Sequence, residues 1–239
     1  NTVTHFKDFS LLQSSSTEWL GFDRCARPLS KDFPSHLGSM TDPSQITYYT
    51  KTGFNNDWNV KTFRPLPDLK LNLTWNRKIG DKVGTILTFG YSNANKTIPD
   101  MQNTRYGIYS ATADVPTIEK NYIDNQFTNE VKINAMNNWS FILDSRNRFE
   151  FRNLFSQIGK NRFTERYGTS TVSGEYYENQ TEMLYSSRLS YVGQLAGLHT
   201  LDEDMTQTLN WTVDYSYANK MEPDRRIIKN IGGIPADKV

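Results

Sequence analysis

Apolar and polar residues alternate one by one in several long runs that begin at Leu69. Successive side chains of a β-strand point to opposite sides, so a period of two predicts strands with one apolar and one polar face. Six runs keep this period, and their main apolar positions are Leu69, Leu71, Leu73, Trp75; Val83, Leu87, Phe89, Tyr91; Phe127, Val131, Ile133, Trp139, Phe141; Phe149, Phe151, Phe155; Tyr185, Leu189, Tyr191, Leu195; and Leu209, Trp211, Val213, Tyr215, Tyr217. We therefore expect an all-β chain with about six long strands.

The lengths of the runs and of their connections favour strands that cross a membrane. Several runs approach the ~9–11 residues of a transmembrane strand, whereas strands of soluble sheets usually have ~5–6. Short polar links occupy residues 80–81, 144–147 and 202–204, and long ones are predicted at residues 93–121, 164–179 and after 220. Short periplasmic turns that alternate with long outer loops are typical of outer-membrane barrels. The pattern predicts an antiparallel transmembrane β-barrel portion over residues 66–239.

This orientation predicts the depth of individual side chains. Aromatic rings gather at both membrane interfaces, while aliphatic side chains suit the hydrocarbon between them. We expect a periplasmic girdle of Trp75, Trp139, Phe141 and Phe149, and an outer girdle of Phe89, Tyr91, Tyr185, Tyr215 and Tyr217. The aliphatic residues between these girdles are Leu71, Leu73, Leu87, Ile133 and Val213.

The composition narrows the functional classes. The charge is nearly balanced, with 27 Lys plus Arg against 26 Asp plus Glu, which argues against a nucleic-acid partner. Cys25 is the only cysteine, so the chain has no internal disulfide. His5, His36 and His199 lack ligand-like spacing, and no nucleophile or phosphate-binding motif is present. We expect no enzyme activity, no cofactor and no metal site.

The polar positions of the runs predict a charged wall on the side opposite the apolar residues. This wall either guides a hydrophilic substrate or only fills a wet barrel interior with mixed ion pairs. Its predicted members are Lys70, Glu130, Lys132, Arg148, Glu150, Arg152, Arg188 and Asp214.

Several segments carry information beyond the alternation. The first is Trp19-Leu20-Gly21-Phe22-Asp23, followed by Arg27-Pro28-Leu29. It is similar to the loop after the opening barrel strands of the TonB-dependent outer-membrane receptors of Bacteroidetes, the SusC-like plugged barrels. The second, residues 149–157, resembles a barrel strand that runs into its outer loop. Residues 193–199, 215–219 and 223–226 continue the likeness in the same order.

The resemblance implies a portion of a barrel of about 22 strands with a plugged lumen. It places residues 1–65 in a long extracellular loop region and the protein in the outer membrane as a multi-pass chain. The implied function is active import of a large or scarce nutrient (a glycan, peptide or metal chelate), with energy from TonB reaching a plug that lies outside these residues. The implied partners are outer-membrane lipid, TonB and a surface lipoprotein.

Two other interpretations compete with nutrient import. A receptor-like barrel also serves as a structural or assembly subunit of a larger outer-membrane complex, and a soluble β domain would show the same alternation. The long loop carries aromatic residues that either stack on a substrate or pack the loop itself. Those assigned to substrate binding are Trp19, Phe22, Tyr48, Tyr49 and Trp58.

Overall fold

The structure is a computed structural model that describes residues 7–12, 15–23, 27, 29–34, 36, 38, 40–53, 58–204 and 206–232. Six long strands form one open antiparallel sheet in the order of the sequence. The strands are β3 (Leu69–Ile79), β4 (Val83–Ser110), β5 (Val115–Ile142), β6 (Asn147–Ser170), β7 (Tyr176–Thr200) and β8 (Thr208–Gly232). The all-β, antiparallel prediction is confirmed. In the described part of the chain, β3 and β8 are the two edges of the sheet.

The prediction of long outer loops is wrong. Residues 93–110 continue β4, a turn at residues 111–114 leads into β5, and β6 likewise runs on to a short link at residues 171–175. The residues after 220 extend β8 in the same way. Alternation fades in these extensions because polar residues occupy both sides, but backbone pairing needs no apolar face. Asp100, with φ of 51°, lies at the β4 bulge between Ile98 and Met101.

The register gives the sheet two chemically distinct sides. One cross-strand row runs from Leu73 through Phe89, Ala135 and Phe155 to Tyr191. We call the side of the sheet that carries this row the apolar face. It comprises the odd-numbered residues of β3 to β8 between the short turns and the row of Tyr185. It bears Leu71, Leu73, Trp75, Leu87, Phe89, Tyr91, Ile133, Trp139, Phe141, Phe149, Phe151, Tyr191, Leu195, Trp211, Val213, Tyr215 and Tyr217. The opposite side is called the polar face.

The ends of the strands step along the sheet in one direction. The row that starts at Ile79, beside the first short turn, reaches Gly197, yet β7 continues to Thr200 before the last short turn. At the other end, β6 stops at Ser170 opposite Lys120, whereas β5 begins earlier, at Val115. Both ends of the strands therefore shift in the same direction along the sheet.

The N-terminal residues form a small layer on the sheet. Strands β1 (Phe9–Leu12) and β2 (Val60–Phe63) pair as an antiparallel ribbon, and a 3₁₀ helix (Glu18–Leu20) and helix α1 (Pro43–Thr52) lie between them in sequence. The Asp42 side chain accepts a hydrogen bond from the Ser44 amide and begins α1. Phe9 is fully buried in the main apolar cluster, with Leu11, Leu12, Phe163 and Met183. No helix of the described residues has the length and apolarity needed to cross a membrane.

The second short turn yields a prediction about pH. Asp144 accepts hydrogen bonds from the amides of Arg146 and Asn147, and from the Asn147 side chain, which lower the pKa of the Asp144 carboxyl. The stability that this adds is fully present above the pKa of about 3.9 of an unfolded aspartate, and is lost as the pH falls through the lowered folded value. We expect the D144A variant to speed hydrogen exchange at the Asn147 amide at neutral pH, with a smaller effect below pH of about 3.

The matched control for this experiment is D81A in the first short turn. The Asp81 carboxylate forms an exposed ion pair with Lys78 at 2.9 Å and holds no turn amide among the described residues. Equal exchange rates in D144A and the unmodified protein would contradict the role assigned to Asp144.

Candidate functional site: the two faces of the sheet

The part of the apolar face nearer the short turns is not covered by any of the described residues. Leu73 is 67% exposed and Val213 is 64% exposed, and most of their apolar neighbours are more than two-fifths exposed. Soluble proteins rarely leave a contiguous apolar surface that spans a whole sheet, and such surfaces mark contact with lipid or with another protein. This face is therefore the first candidate site.

An aromatic cluster marks the short-turn end of the apolar face. The rings of Trp139 and Phe141 stack at 6.1 Å, and Phe149 meets Trp211 edge-on at the same distance. The Trp211 indole donates to His199 Nε2 at 3.0 Å, so His199 Nδ1 carries the proton and donates to Asn147 at 2.7 Å. Trp139, Phe141 and Phe149, three of the residues assigned to the periplasmic girdle, thus lie together at the short-turn end. The fourth, Trp75, lies in the same cross-strand row as Tyr215, which was assigned to the outer girdle. The alternation placed Trp211 on the apolar side, but it did not predict the contact of Trp211 with His199, since no spacing rule links the two residues.

On the same side of the sheet, the part that lies farther from the short turns is covered by the N-terminal layer. Phe9 meets Phe127 edge-on at 5.6 Å, and Asn161 donates to the backbone oxygen of Leu12 and to Glu18. Gly21, with φ of 76°, lies so close to Gly159 that a Cβ on Gly159 would sit 2.5 Å from Gly21 Cα. The layer is therefore fixed by backbone contact as well as by burial.

A buried ion pair holds the 3₁₀ helix of this layer in place. Arg27 Nη1 lies 2.8 Å from Glu18 and 3.2 Å from Asp23. Burial raises the pKa of Glu18, although the Arg27 guanidinium acts in the opposite direction. That guanidinium also lies 4.6 Å from the ring centre of Tyr185.

The assignment of Tyr185 to an exposed outer girdle is wrong. Its side chain is 2% exposed because Arg27 and the N-terminal layer cover it. The other members predicted for that girdle spread along the strands: Tyr217 shares a row with Phe89, and Tyr215 shares one with Leu87. The alternation correctly placed these residues on one side but gave no information about what covers each of them.

The residues predicted for the charged wall share the polar face. Lys70, Lys132 and Arg188 lie in a single cross-strand row, and Glu130 belongs to the next row. Glu130 pairs with Lys132 at 2.6 Å and lies 4.0 Å from Lys160. The register thus brings together side chains that are far apart in sequence.

A second part of the wall lies nearer the short turns. Glu150 pairs with Arg148 at 3.0 Å and also with Arg152. Arg152 then donates to Gln194 Oε1 at 2.7 Å, and Gln194 donates to Asp214 at 2.7 Å. This chain of contacts crosses β6, β7 and β8, so each charge has a partner and the network stiffens the sheet.

The loop aromatics assigned to substrate binding do not converge. Tyr48 and Tyr49 lie on α1 and contact each other edge-on at 5.3 Å, and Trp58 lies under the Arg226 guanidinium at 4.7 Å. Phe22 is partly buried beside the 3₁₀ helix, on which Trp19 is 59% exposed. These five residues therefore occupy separate places, and none of them lies on the polar face.

Trp19 lines a groove of about 1020 Å³ between the N-terminal layer and the sheet. The groove is also lined by Leu66, Leu69, Asn93 and Asn129. Asn129 Nδ2 donates to the side-chain oxygens of Asn93 and Asn95 at 2.8 and 2.9 Å, which turns the amide donors of Asn93 and Asn95 away from this contact. The groove combines an aromatic wall with amide groups.

A further ionic cluster near the strand tips had no sequence signal. Arg166 binds the buried Asp124 carboxylate through two contacts of 2.7 Å, and Tyr122 donates to Glu178 at 2.9 Å. Lys229 lies 2.8 Å from Glu178. These residues lock the extended ends of β5 to β8 together, and only the register shows that they meet.

The described residues contain no group of three or more His, Cys, Asp or Glu side chains suited to a metal ion. Cys25 and His5 lie outside the described residues. Comparison of the chain with protein-family models, with curated proteins and with solved structures finds no match. The geometry of the two faces therefore supplies the structural support for a function.

The contact between Gly21 and Gly159 makes a testable prediction. A methyl group in G159A would meet the Gly21 backbone at 2.5–2.8 Å, so the N-terminal layer must shift. We expect a cost of about 1–3 kcal/mol in the free energy of unfolding of this layer, as for other overpacked sites. Limited proteolysis of residues 9–27 measures it as faster cleavage.

The control for this substitution is G84A on β4, since a Cβ at Gly84 meets nothing within 4 Å. If G159A and G84A are cleaved at the same rate, the N-terminal layer does not rest on Gly159.

Proposed function

We propose that this chain forms part of the wall of a transmembrane β-barrel in the bacterial outer membrane, with the apolar face toward lipid and the polar face toward the lumen. The observation that carries the proposal is the separation of the two faces across all six strands. The apolar face bears most of the exposed Leu, Val, Phe, Trp and Tyr side chains of the strands. The other face bears the ionic network together with the exposed aliphatic residues Ile86, Ile142, Leu154, Val192 and Leu198. Alternating apolar-out and polar-in residues are what a barrel wall requires.

Three further features support this orientation. Aromatic rings cluster at the short-turn end, as expected at a membrane interface. Each described strand from β4 to β8 exceeds the length needed to cross the hydrocarbon, so the extra length projects beyond it. The staggered strand ends fit inclined strands.

The proposed role of the barrel is TonB-dependent import of a nutrient. Support comes from the ordered resemblance of residues 19–29, 149–157 and 193–226 to plugged receptors of Bacteroidetes. TonB would act through a plug outside the described residues, and the charged polar face would border the substrate path. The structural-subunit alternative shares the lipid-facing wall and differs in having no substrate. Loss of growth on a specific nutrient after gene deletion supports import, whereas a defect in complex assembly with normal uptake supports the alternative.

Paired arginine substitutions on neighbouring residues test the membrane location. Leu73 belongs to the apolar face and Asn72 to the polar face, and both side chains are exposed. An arginine on the lipid side near the midplane costs about 2–4 kcal/mol, while lumen positions accept charge. For the full-length protein in lipid vesicles, we expect L73R to lower the free energy of unfolding in urea by that amount and N72R to leave it nearly unchanged.

A soluble fold predicts a different outcome for the same pair. In water, an arginine that replaces an exposed leucine changes stability little. Equal stability of L73R and N72R would therefore contradict the lipid contact of the apolar face.

A further inference from the structure

The polar face concentrates positive charge although the chain as a whole is nearly neutral, with 27 Lys plus Arg and 26 Asp plus Glu. Three adjacent cross-strand rows carry most of it. The first contains Lys70, Lys132, Arg188 and Lys220, the second Glu130 and Lys160, and the third Lys96, Arg162 and Arg225. We call the cations of these rows the cationic band.

The carboxylates near the band neutralise only part of it. Glu130 is shared by Lys132 and Lys160, and Glu182 by Arg162 and Arg225. Glu222 pairs with Lys220 at 2.6 Å. By contrast, Lys70, Lys96 and Arg188 form no ion pair with any of the described residues.

The register places two members of the band in direct opposition. Arg188 on β7 faces Lys220 on β8 across one ladder position. Like charges that face each other on neighbouring strands destabilise a sheet. Glu222 pairs with Lys220 and also interacts electrostatically with Arg188, so one carboxylate serves both cations. The positive charge that is left over is suited to an anion that comes from outside the chain.

We propose that the cationic band binds an oligomer with repeated negative charges, carried as carboxylate, sulfate or phosphate groups. Neighbouring strands lie about 4.8 Å apart, so the row from Lys70 on β3 to Lys220 on β8 spans roughly 24 Å. That length exceeds a single small anion and fits several charged units. The proposal rests on the proposed function for its biological meaning, since it makes this oligomer the imported substrate.

The side chains that lie between the cations argue against single-stranded nucleic acid as the ligand of the cationic band. The other members of the three rows are small or aliphatic, and none of the described residues in these rows is aromatic: Ser92, Ala94, Thr128, Ile158, Leu184 and Ser186. Binding of single strands relies on aromatic side chains on which bases stack. The next row toward the short turns carries Asn72, Asn134 and Ser156, whose side chains offer neutral hydrogen bonds beside the charges.

A binding experiment on the full-length protein in detergent tests the band. The probes are fluorescent dextran sulfate, uncharged dextran of equal length and poly-L-glutamate, followed by fluorescence anisotropy at low and high salt. We expect dextran sulfate to bind, uncharged dextran not to bind, and the affinity to fall as salt screens the charges. Binding of poly-L-glutamate as well means that charge alone is recognised, and its absence means that the backbone of the sulfated sugar contributes.

The double variant K70Q/R188Q removes two unpaired cations without breaking an ion pair, and R77Q on the apolar face is the matched control. We expect at least a tenfold weaker affinity for dextran sulfate in K70Q/R188Q and an unchanged affinity in R77Q. The proposal is overturned if no anionic probe binds, if uncharged dextran binds equally, or if K70Q/R188Q binds as the unmodified protein does.

The result of the anion-binding experiment can be distinguished from the result of the L73R and N72R stability experiment. Equal stability of L73R and N72R with intact anion binding would remove the lipid-facing wall and keep the band. A stability loss confined to L73R, with no anion binding, would keep the wall and remove the band.

Discussion

The backbone register between the strands is the constraint on which the rest of the structure depends. Strands β5 and β6 pair without a shift from Lys120 opposite Ser170 to Ile142 opposite Arg148. Because side chains alternate, a slip by one residue would move every apolar side chain to the other face. The unshifted ladder thus keeps the apolar rows on one side, the ionic network on the other, and the cations of the band in line.

The proposed membrane location sets a further requirement on the sheet edges. Within hydrocarbon, each backbone N–H and C=O group needs a partner, so open edges are not tolerated. In the described structure β3 and β8 are both edges. A location in the membrane therefore requires further strands to pair with β3 and β8, which agrees with a barrel larger than six strands.

The N-terminal layer and the polar face lie on opposite sides of the sheet. The layer contacts the sheet on the side of Phe127, Gly159 and Phe163. In the proposed orientation this side faces outward. The contact reaches the row of Ile133 and Gln157, so Ile133, which was expected to face hydrocarbon, is only 8% exposed. The aromatics of the N-terminal layer are then remote from the lumen, and the substrate path is bordered by the charges of β3 to β8.

The alternation was sufficient to predict the strands and the side chains that share each face, because a period of two follows directly from strand geometry. It predicted loops where the strands continue, since polar residues on both sides hide the period between residues 93 and 121. The burial of Tyr185 and the contact of Trp211 with His199 depend on tertiary neighbours that no local spacing reveals. The sequence predicted only part of the cationic band. Lys70, Lys132 and Arg188 were identified as members of a charged wall, but only the strand register shows that they share one row.

Spin-label accessibility along β3 distinguishes an apolar face that contacts lipid from one that contacts water. Single cysteines at residues 70–76, introduced into the full-length protein with Cys25 replaced by serine, would carry the label in lipid vesicles. We expect an alternation: labels at Leu71, Leu73 and Trp75 collide preferentially with oxygen dissolved in lipid, and labels at Lys70, Asn72 and Thr74 with a water-soluble nickel complex. Uniform access of the nickel complex to all seven positions would contradict a lipid-facing apolar face.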